Sequence, residues 1–301
     1  MNRHILLGLW AVSAISLTTA TADELEGKRS SSEILEATAE SDWQRFDPDN
    51  LVVIKLERGD VVVALSTELA NNHTSQIKAL AREGFYDGLS FYRVIDGFVA
   101  QGGDQFETRP LNTAMKSLAA EFEETIGDAS LFSALKDHDG YAEQVGFLGF
   151  LPTGRDTEND SIWHLHCTGA MAMARDTAKN TAGTEFYITL QPQRYLDRNL
   201  SVFGRVVKGM EHLQALRRVA PAETPEDDTG EIIVSMRIAA DLPTKEQPRL
   251  QYLRTDTDLY KEYVEARRNR PEDFFYFRPD HIDICAANVP VRVVADSSAK
   301  E

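Results

Sequence analysis

The chain has 301 residues, 42% of them hydrophobic and 9% aromatic, which is enough to bury a sizeable core and excludes disorder throughout. Asp and Glu number 48 against 32 Lys and Arg, a net charge of -16, and so acidic a surface repels phosphate backbones and anionic lipid; no nucleic acid is expected as a partner. Two cysteines exclude a disulfide-dense scaffold and a multi-cysteine zinc domain but leave room for one disulfide.

Arg3 and His4 precede an apolar run from Ile5 to Leu17, and Ala20-Thr21-Ala22 supplies small residues at cleavage spacing. Residues 1–22 therefore read as a secretory signal peptide, and a periplasmic, exported product with no membrane insertion after cleavage is expected. The run is too short for a membrane anchor, which needs roughly 20 apolar residues. Residues 23–50 are polar and acidic and are expected to form a loosely held leader; Ser30 followed by Glu33 has the form of a capping box for a short helix through Ala39.

From Leu51 the composition changes. Leu51–Leu56 and Val61–Leu65 are β-rich runs joined by Glu57-Arg-Gly-Asp60, a hairpin turn by composition. Asn72 to Glu83 reads as a helix with Ile77, Leu80 and Ala81 on one face and Gly84 as its left-handed stop. Strand signals follow at Leu89–Ile95, Phe98–Gln101, Gly169–Ala174, Glu185–Leu190, Val202–Val207 and Ile232–Ile238, with a further helix from Met210 to Arg218. Short strands with few helices between them favour a mainly β fold, a closed antiparallel barrel rather than a parallel sheet. Two-residue alternation puts Arg93 on one face with Phe91 and Ile95, where it is either a snorkelling surface residue or a polar group set into an apolar site. Gly102-Gly103 reads as a tight turn.

After Lys245 the chain is nearly neutral, so the acidity sits in the barrel region. Thr255 or Asp256 can cap a helix through Asn269 that Pro271 ends, and Phe274-Phe-Tyr-Phe277 is too apolar to leave in water. Residues 244–301 are expected to pack on the barrel; an aromatic cluster is also what a clamp for client chains would use. His164, His166, Cys167, His281 and Cys285 include zinc-type ligands, but their spacings match no zinc module. In an exported chain a lone pair of cysteines is expected to be joined, Cys167 to Cys285, the alternatives being two buried free thiols or that zinc site.

Phe85-Tyr-Asp-Gly-Leu-Ser-Phe-Tyr-Arg-Val-Ile-Asp-Gly-Phe-Val-Ala-Gln-Gly-Gly-Asp104 resembles the signature of the cyclophilin-type peptidyl-prolyl isomerases. Met173-Ala-Arg175, Gly183–Ile188, Tyr195-Leu-Asp197 and Val202–Met210 join it in the same order. The resemblance covers about residues 51–243, with an additional stretch at about 105–165. That stretch is expected to be a surface excursion beside the cleft, of helix and loop and without its own core. The resemblance implies a closed eight-stranded antiparallel barrel capped by two helices, and an enzyme that accelerates rotation about X-Pro amides in unfolded or partly folded polypeptides, assisting folding without a cofactor. It implies Arg93 as the catalytic arginine, and Phe98, Val99, Gln101, Ala174, Glu185, Tyr187, Tyr195, Leu196 and Leu200 as substrate-binding positions. Val99 stands where the family usually has methionine, Tyr195 tryptophan, Leu200 histidine and Glu185 glutamine. Those exchanges imply a reshaped pocket, insensitivity to cyclosporin-type drugs, and a place for a basic or polar neighbour of the proline. The alternative is a proline-peptide binding module or chaperone on the same barrel with little or no turnover, or a barrel used only as scaffold.

Overall fold

The computed structural model describes residues 27–125, 131–224 and 230–294. The signal peptide expected at 1–22 lies outside the described residues. In chain order the elements are helix α1 (Ser31–Glu36), β1 (Trp43–Arg45), β2 (Leu51–Leu56), β3 (Gly59–Leu65), α2 (Asn71–Arg82), β4 (Ser90–Val94) and β5 (Val99–Gly103). Five strands follow in the additional stretch: β6 (Glu124–Thr125), β7 (Phe132–Ala134), β8 (Gln144–Leu148), β9 (Leu151–Asp156) and β10 (Ser161–His164). Then come β11 (Ala170–Met173), β12 (Phe186–Thr189), β13 (Val202–Lys208), α3 (Met210–Gln214), β14 (Glu231–Ile232), β15 (Ser235–Ile238), β16 (Leu250–Leu253), α4 (Asp258–Asn269) and β17 (Val291–Val293).

The main sheet has nine antiparallel strands in the order β14-β4-β5-β12-β11-β13-β3-β2-β15 and curls around one core. Its count is nine rather than eight because the last stretch, Glu231–Ile238, is interrupted. Ile233 donates its N–H to Leu89 O at 2.7 Å and Val234 to Lys55 O at 2.9 Å, so the chain crosses from β4 to β2 within two residues. Inward-facing Val52, Ile54, Val61, Val63, Phe91, Ala100, Met171, Phe186 and Phe203 alternate with outward residues, as a half-buried pleated sheet requires. Ile77, Leu80 and Ala81 of α2 and Leu213 of α3 pack on that core. Helix α2 stops where Gly84 takes φ +68°, a left-handed turn that needs no Cβ.

The remaining segments depart from the sequence-based expectations. The stretch expected as helix and loop is a five-stranded antiparallel sheet, β6-β10-β9-β8-β7, whose apolar residues enter a second core apart from that of the main sheet. Val145, Phe147, Trp163 and Leu165 bury against Leu253, Tyr260, Tyr263, Val264, Ile282 and Ile284 of the C-terminal extension. The leader is not loosely held. Ser30 does form the capping box with Glu33, Ile34 is buried in this second core, and β1 pairs with β16, Trp43 opposite Leu253. Leader, excursion and extension therefore share one apolar interior, because none has enough apolar surface to close a core alone. Leu250 of the extension also packs against Leu51, Val62 and Ala64 on the outer face of the main sheet.

Cys167, just before β11, and Cys285 are joined at 2.02 Å. The aromatic cluster, in contrast, finds no cover: Phe274 is 80% exposed, Phe277 72% and Tyr276 98%. The segment between Pro271 and Pro279 forms no helix or strand, and only Phe275 is sheltered, beneath Arg270 at 5.1 Å. No helix among the described residues is long and apolar enough to cross a membrane.

Candidate functional site

The site lies on the outer face of the main sheet, where β4, β5, β11 and β12 run side by side. Register brings it together. Gln101 stands opposite Arg93 on one side and Tyr187 on the other, and cross-strand partners share a face. Residues two apart along each strand extend that face, which adds Val99 from β5 and Glu185, the residue just before β12. Val99 and Tyr187 bury with Ala170, Ala172 and Val202, and Phe98, Ala174 and Leu200 pack against them in one apolar cluster. Of the sequence-derived pocket positions, Tyr195 and Leu196 lie outside that cluster. They sit on a single 3-10 turn, Arg194–Leu196, with Tyr195 59% exposed.

Arg93 is not on a face with Phe91, as strict alternation predicts. The ladder between β4 and β5 shifts register between Ser90 and Arg93, so Phe91 turns into the core while Arg93 turns out toward the apolar cluster. Its guanidinium carbon lies 5.4 Å from the centre of the Phe98 ring, and its Nη1 donates to Gln101 Oε1 at 3.0 Å. The other end of the Gln101 amide donates to the Tyr92 hydroxyl and to Glu185 Oε2, the latter at 3.0 Å. The Tyr92 hydroxyl in turn donates to Glu185 Oε2. Burial, reinforced by the charges of Glu107 and Asp104 against the opposing hydrogen bonds, raises the Glu185 pKa; burial, with the neighbouring Glu185 charge, raises that of Tyr92. Gly102 and Gly103 belong to β5 and form no tight turn. A Cβ on Gly103 would stand 3.0 Å from Glu185 Cα, so the missing side chain lets the Glu185 backbone lie against the strand.

Beside Gln101 and Glu185 a cavity of about 420 Å³ opens, lined also by Ala174, Glu107, Arg109 and Arg175 among others. Its walls carry charges of both signs, in contrast to the apolar cluster next to it.

Beneath the cluster runs a buried polar chain that the sequence reading missed. Tyr187 Oη lies 2.8 Å from His166 Nε2, and His166 Nδ1 lies 3.0 Å from Asp197 Oδ1. A carboxylate only accepts, so Nδ1 carries the proton, and in the neutral ring Nε2 accepts from the Tyr187 hydroxyl. Asp197 Oδ2 receives Arg194 Nε at 2.6 Å, and Arg194 reaches Asp139 of the excursion at 2.8 Å through each of its terminal nitrogens. Burial and the charge of Asp197 keep the Tyr187 phenol protonated. His164 is likewise committed, between Ser66 Oγ at 2.8 Å and Thr153 Oγ1 at 3.1 Å, and burial lowers its pKa to about 3. With His164 and His166 so engaged and Cys167 in the disulfide, the zinc reading has no ligand set; among the described residues no group of three or more His, Cys, Asp or Glu is placed to hold a metal.

Comparison with known proteins adds the following. Residues 51–238 match the model of the cyclophilin-type peptidyl-prolyl cis-trans isomerase family. A probable peptidyl-prolyl cis-trans isomerase of Brucella suis is 31% identical over 195 residues, 65% of this chain and 85% of the relative. Peptidyl-prolyl cis-trans isomerase B of Bacillus subtilis is 33% identical over 157 residues, 52% of this chain and 82% of the relative. Among solved structures, cyclophilin AquaCyp293 from Hirschia baltica superposes with a TM-score of 0.68 at 28% identity, covering 84% of this chain and 95% of that one. That coverage exceeds residues 51–238, so part of the leader or the extension aligns as well.

Proposed function

Because the chain belongs to the cyclophilin-type peptidyl-prolyl cis-trans isomerase family, we propose that it turns over X-Pro amides at the outer-face cluster around Val99 and Tyr187, with Arg93 as the catalytic donor. The observation that carries this reading is the position of Arg93: a half-buried guanidinium over the Phe98 ring, oriented by Gln101, at the edge of an apolar cluster. The reaction demands little more. Rotation breaks amide resonance at a barrier of about 18 to 20 kcal/mol, and no bond is made or broken on the protein. A site that buries the ring and offers hydrogen bonds suited to the twisted amide favours the transition state over either planar isomer. Phe98, Val99, Ala174, Tyr187 and Leu200 form the ring's apolar seat, Tyr195 and Leu196 its rim, and the charged cavity beside Gln101 and Glu185 takes the residue before proline, with basic and polar side chains preferred. No cofactor enters this scheme.

The sheet is best read as a closed barrel of eight strands capped by α2 and α3. Its edge strands β14 and β15 are consecutive in the chain and bond to β4 and β2, which supports treating them as one interrupted strand. Export to the periplasm, with unfolded or partly folded proline-containing polypeptides as clients, is supported by the apolar run after Arg3 and by the Cys167–Cys285 disulfide, a bond that oxidising compartments maintain. Isomerisation of a Lys-Pro and a Glu-Pro peptide series by the purified chain tests the assignment. The Lys-Pro member is expected to react faster, and absence of acceleration on every peptide overturns the reading.

A further inference from the structure

Gln101 is an amide whose two ends are chemically opposite, and which end meets Arg93 decides whether the guanidinium is held or repelled. Its carbonyl oxygen faces Arg93 Nη1 at 3.0 Å, while its nitrogen faces the Tyr92 hydroxyl and Glu185 Oε2. In the reverse orientation the amide nitrogen would meet the guanidinium, donor against donor, and the carbonyl would meet a carboxylate, acceptor against acceptor. Tyr92 reaches this assembly through the register shift between Ser90 and Arg93; in a regular strand, neighbours 92 and 93 point to opposite faces.

We propose that Tyr92 and Glu185 are positioning residues for the isomerisation: with Glu185 as a carboxylate, the pair locks the Gln101 amide so that its oxygen holds Arg93 over the prolyl site. The proposal rests on the assignment of Arg93 above and adds to it a protonation requirement. Once protonated, Glu185 can donate to the Gln101 oxygen. The reversed amide then becomes competitive and Arg93 loses its acceptor.

The surroundings of Glu185 determine where this happens. From β4 it faces Tyr92 and, through Gln101, Arg93; from the end of β5 and the segment after it come Asp104, Glu107, Arg109 and Lys116; from the segment after β11 come Arg175 and Asp176. Tyr86, ahead of β4, also feels its charge. Burial and the Glu107 and Asp104 charges raise the Glu185 pKa, so the protonation step falls above the usual range for glutamate, near 4.3.

The test is the pH dependence of kcat/KM on an X-Pro peptide between pH 4.5 and 8, for wild type, Tyr92→Phe, Glu185→Ala, Glu185→Gln and Arg93→Ala, each checked for fold by circular dichroism. Wild type is expected to lose rate on acidification with one apparent pKa above 4.3. Glu185→Ala is expected to fall about tenfold in kcat with little change in KM, and Tyr92→Phe about fivefold, within the range that the loss of one ordinary hydrogen bond covers. Glu185→Gln, which like the protonated acid can donate to the Gln101 oxygen as well as accept, and which cannot titrate, is expected to hold the reduced rate of the wild type's acid limit at every pH, with a flat acid limb. A flat wild-type profile overturns the proposal without any variant. An acid limb that survives in Glu185→Gln, or a Glu185→Ala rate equal to wild type while Arg93→Ala is inactive, overturns it and leaves the Arg93 assignment standing. A fully active Arg93→Ala overturns both.

Discussion

Asp139 grips Arg194 with both carboxylate oxygens, each at 2.8 Å, and the two side chains are only 6% and 7% exposed. Arg194 opens the turn that carries Tyr195, so the excursion is fastened directly to the turn proposed above as the rim of the site. Two residues earlier, Asp137 holds Arg268 of α4 in the same manner, at 2.9 and 2.5 Å. One short segment thus anchors the Arg194–Leu196 turn and the extension together. Leaving a buried charge with no partner costs about 3 to 5 kcal/mol, but Arg194 keeps Asp197 at 2.6 Å when Asp139 is removed, so the loss here is smaller, about 1 to 3 kcal/mol. Asp139→Ala is expected to lose stability of that order in urea unfolding and to raise KM, as the Tyr195 turn loosens.

Acid should act on the same two carboxylates. Burial alone would raise both, but it is outweighed by hydrogen bonds from Arg268 and the Ile282 backbone at Asp137, and from Arg194 and the Tyr141 backbone at Asp139; both pKa values end below the ordinary Asp range. A carboxyl depressed in the folded state contributes stability that is present above its unfolded pKa, near 3.9, and lost as pH falls through the folded value. The urea midpoint is therefore expected to drop below pH 4, and to drop less steeply in Asp139→Asn. Equal slopes in the two proteins would rule out this pair as the source.

Arg93→Ala is expected to remove most turnover and leave the fold intact. Loss of one preorganised donor typically raises a barrier by about 2.7 to 4 kcal/mol, a hundredfold to a thousandfold in rate. An X-Pro peptide assay at the wild-type rate would withdraw the catalytic role from Arg93.

Deleting residues 131–155 removes β7, β8, most of β9 and both anchoring aspartates. It exposes Tyr260, Tyr263 and Trp163, which now share their cover with Phe147 and Val145. A large fall in melting temperature is expected, together with protease sensitivity of the extension. An unchanged melting temperature would show that the second core does not depend on the excursion.

Reducing the disulfide is expected to loosen the extension before the main sheet. Its cysteines are 118 residues apart, and closing a loop of that size is worth about 4 to 5 kcal/mol in the chain-entropy model. Limited proteolysis with and without reductant checks this, since Phe274, Tyr276 and Phe277 already stand in solvent as cleavage sites. Identical cutting rates would count against it.

The parts of this architecture that follow simple periodicities were readable in the sequence. The β2–β3 hairpin, α2 with its glycine stop, and α4 with Pro271 behind it come from local chemistry that tertiary contacts do not override, although Thr257 caps α4 in place of the expected Thr255 or Asp256. The excursion was not readable, because β8 and β9 are buried on both faces, and a strand without a polar side has no two-residue period to detect. Its hairpin, Leu148-Gly-Phe-Leu151, was the available signal. Tyr92 was hidden for a related reason: a register shift reverses the face on which alternation places it. Asp137, Asp139 and Asp197 looked like three more surface acids in a chain of net charge -16, and only the arrival of Arg268 and Arg194 distinguishes them. The exposure of Phe274, Tyr276 and Phe277 inverts the usual expectation for aromatics, since the core they would have joined is filled by Tyr260, Tyr263, Ile282 and Ile284.

The pairing of β1 with β16 also governs the order of assembly during synthesis. A ribosome releases the leader first, yet Trp43 has no strand to meet until Leu253 has been made, and Ile34 no core until Ile284 follows. The main sheet, complete by Ile238, is free to close while the second core still waits for everything from Tyr252 onward. Until then the newborn chain carries an orphaned edge and a half-built apolar face, the kind of surface that non-local topologies leave open for longest.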